Sequence, residues 1–179
     1  RLLEQERLRK ELEIGRRIQE ELLPRRPLLG PFAEVGGISI PAREVGGDFF
    51  NYFPLREDEV AILVGDVSGK GVGAALLMAS LQATIRARLG DERDRARLVD
   101  ALDREMSSDE PLAPYYTLFL ALLEGRTGCL RYVNAGHNTQ FVLRREGRAE
   151  QLSSVGRPPG LYPGGGYEER TVEMGDGDA

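Results

Sequence analysis

A chain of 179 residues with 41% hydrophobic side chains is long enough for one compact domain plus an appendage, and it can bury a real core. Its net charge of −5 and its mixed rather than clustered charges argue against nucleic acid as a partner, because phosphate backbones require grouped Lys and Arg. Its single cysteine, Cys129, excludes an intrachain disulfide and a cysteine metal cluster; together with the absence of any run near the roughly 20 apolar residues of a membrane span, this leads us to expect a cytoplasmic protein.

In chain order, residues 1–23 read as a helix, with Leu8, Leu12, Ile18 and Leu22 at roughly helical spacing among Gln, Glu and Arg. Gly15 lies on the same face and weakens the helix locally, and Pro24 and Pro27 stop it. Such a helix is marginal alone, so it needs a surface: its own domain, or a dimer partner and an upstream sensor domain. The charged start, Arg1 to Lys10, has no apolar signal core, and a chain that opens without Met inside a helix reads as a fragment of a longer protein.

The texture changes at Phe32. Glu34 to Pro41 is strand-like and contains Gly36 and Gly37; Phe49 to Pro54 is aromatic-rich; Val60 to Val64 is a short apolar run suited to a buried strand. Residues 72–90 read as a helix of good formers and core-facing side chains, and 94–106 as a second, with Leu98, Leu102 and Met106 at four-residue spacing. A loop marked by Pro111 and Pro114 leads to a hairpin, with strands over 116–123 and 129–134 joined by the turn Glu124-Gly125-Arg126-Thr127-Gly128. Residues 140–143 and 149–152 flank Glu146-Gly147 as a second hairpin, 156–166 is a Gly- and Pro-rich loop, and Glu168 to Val172 begins a last strand. Strands, two helices, then hairpin-linked strands make an α+β domain rather than a parallel βαβ fold. No linker splits the chain after residue 31.

Two carboxylates stand out. Asp48 follows Gly46-Gly47 at the edge of a strand, and Asp66 follows the buried run and Gly65, opening the loop Val67 to Gly71 before a helix. A carboxylate at a strand end is held rigidly, and flanking glycines let backbone approach a ligand. Two acids brought together repel unless a cation joins them, and Mg²⁺ or Mn²⁺ favours such oxygen ligands. The alternative for each Asp is a turn or helix cap. The Gly69 to Gly73 loop before a helix suggests a phosphate cradle, but position 71 is Gly where a nucleotide-binding loop needs a Ser or Thr hydroxyl.

Taken together, PAREVGGDFFNYF, VAILVGDVSGKGVGAALLMASLQATIRA and TLFLALLEGRTGCLRYVNAGHNTQFVLR resemble the SpoIIE/RsbU-type phosphatases, the bacterial branch of the metal-dependent protein phosphatase (PPM) family. The resemblance covers about residues 10–175. It implies a four-layer α-β-β-α sandwich of two antiparallel sheets flanked by helices, preceded by a lead-in helix over 1–31, with the phosphatase domain over 32–179. It also implies that Asp66 bridges two Mn²⁺ or Mg²⁺ ions, that the Val67 carbonyl is a further ligand, and that Asp48 is the second acidic position of the centre. The activity implied is hydrolysis of phosphoserine on a STAS-domain anti-anti-sigma factor by a metal-activated water, with Asp48 and Asp66 as the essential residues. Asn134-Ala135-Gly136-His137-Asn138 is similar to a family signature; His137 reads as a structural loop histidine or a catalytic acid, and Lys70 as a phosphate contact or a surface lysine. Two departures stand out. Asn51 replaces a frequent Asp, and the family's later Thr-Asp-Gly and a further Asp are absent up to Ala179, so a C-terminal part is expected to be missing; Asp176 and Asp178 match by composition only. The rival reading is a catalytically weak phosphatase-fold module that signals through a homodimer of the lead-in helix.

Overall fold

The computed structural model describes residues 2–40, 45–92, 94–107, 113–153, 156–162 and 164–179. Pro41 to Glu44 of the sequence motif, Pro111 of the predicted loop and Pro163 of the Gly- and Pro-rich loop lie outside the described residues. The elements are α1 (Leu2–Leu22), β1 (Leu28–Leu29), β2 (Glu34–Val35), β3 (Asp48–Arg56), β4 (Glu59–Val67), α2 (Val72–Arg88), α3 (Arg95–Met106), β5 (Tyr116–Glu124), β6 (Cys129–Ala135), β7 (Gln140–Leu143), β8 (Ala149–Leu152) and β9 (Arg170–Glu173).

Five strands form one antiparallel sheet in the order β3-β4-β5-β6-β9, and β1-β2 and β7-β8 form two-stranded sheets. Because strand side chains alternate, every strand of the large sheet has two faces of different duty. Phe49, Leu63, Leu118, Leu120 and Leu122 point to one face, where they pack with Met78 and Ile85 of α2 and Leu98 and Leu102 of α3. Fully burying each such side chain contributes about 1.5–3 kcal/mol, so this helix-side core is the main source of the fold's stability. Phe119 and Tyr132 point to the opposite face and pack with Val142 of β7 and Leu152 of β8. Helices, the large sheet and the β7-β8 hairpin are therefore stacked as layers of an α+β domain, as expected.

The helices owe their limits to local chemistry. Asp94 caps α3 by accepting from the Arg97 amide at 3.1 Å. The start of α2 is different: Gly71, at φ +77°, precedes it with no side-chain capping bond, so its first amides are left for solvent or an anion. The lead-in helix α1 packs through Leu12, Gly15, Gln19 and the following Leu23, which are half-buried. Leu8, Ile18 and Leu22, which the spacing assigns to the packed face, are 58%, 58% and 41% exposed. The reason is steric: Gly15 leaves room for Val45, 3.7 Å from where a Cβ would stand. No helix among the described residues is long and apolar enough to cross a membrane.

Candidate metal centre

The β3-β4 register sets Asp48 directly opposite Asp66, as the last pair of the ladder. Both carboxylates lie on the face away from the helices, by the alternation that buries Phe49 (2%) and Val67 (1%) on the other side. Asp66 is in turn opposite Thr117 of β5, so Asp48, Asp66 and Thr117 form one row across three strands.

Glycine makes this row possible. A Cβ on Gly65 would stand 2.5 Å from the Phe49 ring and 2.7 Å from the Thr117 carbonyl oxygen, so no other residue fits between β3 and β5. A Cβ on Gly47 would collide with the Val67 carbonyl oxygen. The Val67 amide donates to the Gly47 carbonyl at 3.2 Å, which ties the residue before Asp48 to the residue after Asp66. Beyond Val67, the Ser68 amide donates to the Tyr115 carbonyl at 2.7 Å and the Tyr115 amide donates to Ser68 Oγ at 2.9 Å. The carboxylate pair is thus mounted on backbone held from both sides.

The pair is electrostatically unfavourable without a cation. Burial pushes the Asp66 carboxyl above its ordinary value, and the charge of Asp48 and a hydrogen bond with it push the same way. Two carboxylates and a nearby main-chain carbonyl are hard oxygen donors, a set that suits Mg²⁺ or Mn²⁺ with water filling the remaining positions. Among the described residues no group of three or more His, Cys, Asp or Glu could hold a metal, so a closed zinc-type site is not what this donor set resembles.

His137 lies close by. Its Nδ1 pairs with Thr117 Oγ1 at 2.7 Å, and its amide donates to Asn134 Oδ1 at 2.8 Å. Burial pushes the imidazole below its ordinary value, while the charge of Asp48 pulls it up. A neutral, tethered ring is the result, which favours the loop-histidine reading over an imidazolium acid. His137, Asp48, Phe50, Val64 and Asn138 line a cleft of about 420 Å³ on this face. Lys70 is exposed.

Asn51 faces the other way. Its Nδ2 donates to Gln82 Oε1 of α2 at 2.9 Å, so the position that departs from the family pattern is not in the row of Asp48 and Asp66. Asp178 accepts from Arg144 at 2.8 Å and from the Gly175 amide at 2.9 Å; these bonds, the Gly175 amide first, hold its carboxyl down at about 2. It closes a turn and an ion pair at the far side of the β7-β8 hairpin. Thr117, which pairs with the His137 ring, was not singled out by the sequence; the register that sets it opposite Asp66 is a long-range property.

The protein family described as Stage II sporulation protein E (SpoIIE) matches residues 56–179, more than half of the chain; Asp66 lies inside the match and Asp48 before it. Protein IcfG of Synechocystis sp. is 29% identical over 198 residues, covering 95% of this chain and 31% of that protein. Phosphoserine phosphatase RsbU of Bacillus subtilis is 23% identical over 175 residues, covering 97% of this chain and 52% of that protein. The chain thus spans about a third to a half of these curated relatives. The solved SiaA-PP2C domain of Pseudomonas aeruginosa has the same fold, with a TM-score of 0.75 at 24% identity over 97% of this chain and 70% of that one.

Proposed function

The chain belongs to the SpoIIE family, and from that premise we propose that it is a metal-dependent protein serine/threonine phosphatase. The observation that carries the proposal is the cross-strand pair Asp48–Asp66, two acids mounted on glycine-flanked strand ends with one carboxyl raised by burial and by the other's charge. The carboxylates of Asp48 and Asp66 and the carbonyl of Val67 would hold two Mn²⁺ or Mg²⁺ ions. When bound, such ions lower the pKa of water and offset charge on a phosphoryl group.

The chain's own residues supply the frame. The β3-β4 ladder fixes the spacing of the acids, and the Gly47–Val67 and Ser68–Tyr115 bonds keep the donor carbonyl and the following loop from drifting. Thr117 holds the His137 ring and Asn134 accepts from the His137 backbone amide, which fixes the residue at the rim of the cleft. The uncapped start of α2 and the exposed Lys70 follow Asp66 within six residues and offer N–H groups and a positive charge to a phosphate. A leaving serine hydroxyl needs no covalent phosphoenzyme under this arrangement.

The substrate in this reading is a phosphorylated STAS-domain protein, an anti-anti-sigma factor, in a cytoplasmic partner-switching pathway. Residues 1–31 are the lead-in from an upstream sensor, and 32–179 the phosphatase domain. The exposed Ile14, Ile18 and Leu22 of α1 suit a homodimer contact. One observation favours a second reading, a catalytically weak regulatory module: among the described residues no third acid or histidine completes a metal-holding group with Asp48 and Asp66. Release of phosphate from a phosphoserine STAS protein, with and without Mn²⁺, separates the two. The phosphatase reading predicts Mn²⁺-dependent release that Asp66→Ala abolishes; full activity in Asp66→Ala refutes it.

A further inference from the structure

β6 ends at Ala135, and the chain turns back against the start of β5. Gly136, at φ +68°, makes an isolated bridge with Leu118, and a Cβ on it would collide with Pro158. Glycine is what fits that turn, and the turn sets His137 beside Thr117, the residue before Leu118. His137 Nδ1 meets Thr117 Oγ1 at 2.7 Å. Thr117 stands opposite Asp66, so the row of Asp48, Asp66 and Thr117 continues into a fourth polar side chain. His137 is half-buried, and Asp48 lines the same cleft.

The contact with Thr117 can be made in two ways. Either Nδ1–H donates to Thr117 Oγ1 and Nε2 keeps a lone pair, or the Thr117 hydroxyl donates to a bare Nδ1 and Nε2 carries the proton. The bond made by one ring nitrogen fixes the state of the other. Nδ1 is taken up by Thr117, and Nε2 has no hydrogen-bond partner among the described residues, so Nε2 is the nitrogen left to the cleft. The charge of Asp48 acts on the ring. A negative charge attracts an N–H and repels a lone pair, so it selects the form with the proton on Nε2 and the Thr117 hydroxyl as donor.

We propose that Thr117 is a positioning residue that holds His137 as the neutral Nε2–H tautomer, and that this N–H donates to a phosphoryl oxygen of the phosphoserine bound beside Asp48 and Asp66. The phosphoryl contact rests on the phosphatase reading; the tautomer rests on the Thr117–His137 pair alone. A neutral donor suits a place next to two acids. It binds an anionic oxygen through a charge-assisted hydrogen bond, whereas an imidazolium would be drawn to the carboxylates themselves. The ring binds the substrate and keeps its proton throughout.

The test uses the whole 179-residue chain in four forms: the parent, Thr117→Val, Thr117→Ser and His137→Ala. His137 is the single histidine of the sequence, so nitrogen-labelled imidazole gives one pair of ring signals, read by NMR without metal at mildly alkaline pH. The parent and Thr117→Ser should show a protonated Nε2 and a bare Nδ1. Thr117→Val keeps the shape and loses the hydroxyl, so it should show a mixture of tautomers. With Mn²⁺ and a phosphoserine STAS protein as substrate, Thr117→Val and His137→Ala should raise KM about tenfold with kcat near the parent's, and Thr117→Ser should keep the parent's KM. A parent with its proton on Nδ1, or a Thr117→Val variant with the parent's tautomer, overturns the role of Thr117. A His137→Ala variant with the parent's KM overturns the phosphoryl contact. If the parent releases no phosphate, the phosphatase reading fails and the phosphoryl contact with it, and the tautomer still decides the role of Thr117.

Discussion

Replacing Asp66 by Asn removes a charge that faces Asp48 across the β3-β4 ladder while keeping the side chain's size and shape. Directly opposed side chains have Cβ atoms about 5 Å apart. Two unit charges at that distance repel by about 1 kcal/mol in water and about 3 kcal/mol at the lower effective dielectric of a protein surface. Asp66 is largely solvated, so the lower figure applies after screening. The metal-free Asn variant should therefore be more stable by about 1 kcal/mol at neutral pH, a rise in Tm of about 2–4 °C for a chain of this size. The pH dependence comes from the direction of the Asp66 shift. A carboxyl raised in the fold binds its proton more readily folded than unfolded, so it subtracts stability at neutral pH. That penalty fades as pH falls through the raised value and is gone below the ordinary 3.8, where both states are protonated. The gap between variant and parent should close over the same window. Thermal unfolding in chelator at neutral and mildly acidic pH measures both effects. A variant no more stable than the parent at pH 7, or a gap that widens on acidification, refutes the claim that the two acids repel.

Gly65→Ala should cost about 1–3 kcal/mol, because a Cβ there overlaps the Phe49 ring and the Thr117 carbonyl; urea unfolding measures it, and it should also weaken Mn²⁺ binding by spreading β3 from β5. Asp103, 1% exposed, accepts from the Gly160 amide at 2.7 Å and from Arg157 at 3.2 Å. Asp103→Ala leaves these donors without their acceptor and should destabilise by about 1–3 kcal/mol, with faster proteolysis of the 156–162 loop and no change in Mn²⁺ affinity.

Much of the fold was legible because its elements carry local signals. The Val60 to Val64 run lies inside β4, the Gly-rich turn 124–128 joins β5 to β6, and the two predicted helices match α2 and α3 to within two residues. The features that local signals missed are set by partners. Of the strand-like run 34–41, the described residues 34–40 give only Glu34–Val35 as strand, because that is the part β1 pairs with. β3 extends beyond the aromatic stretch to Asp48 because Asp66 lies across from it. The two acids were legible from their glycines and buried neighbours, and strand parity from Asp48 also sends Asn51 to the helix side. The pairing of the Gln19 side-chain amide with the Gly46 backbone, to whose carbonyl it donates at 2.5 Å and from whose amide it accepts at 3.2 Å, was not legible: nothing in a helical repeat says which amide will find a backbone 27 residues away.

Titrating the metal-free protein with Mn²⁺ in a calorimeter, beside Asp48→Ala and Asp66→Ala, examines the acid pair with no substrate in play. The account predicts saturable binding by the parent and its loss in each variant. A parent that takes up no Mn²⁺, or variants that keep the parent's affinity, would contradict it.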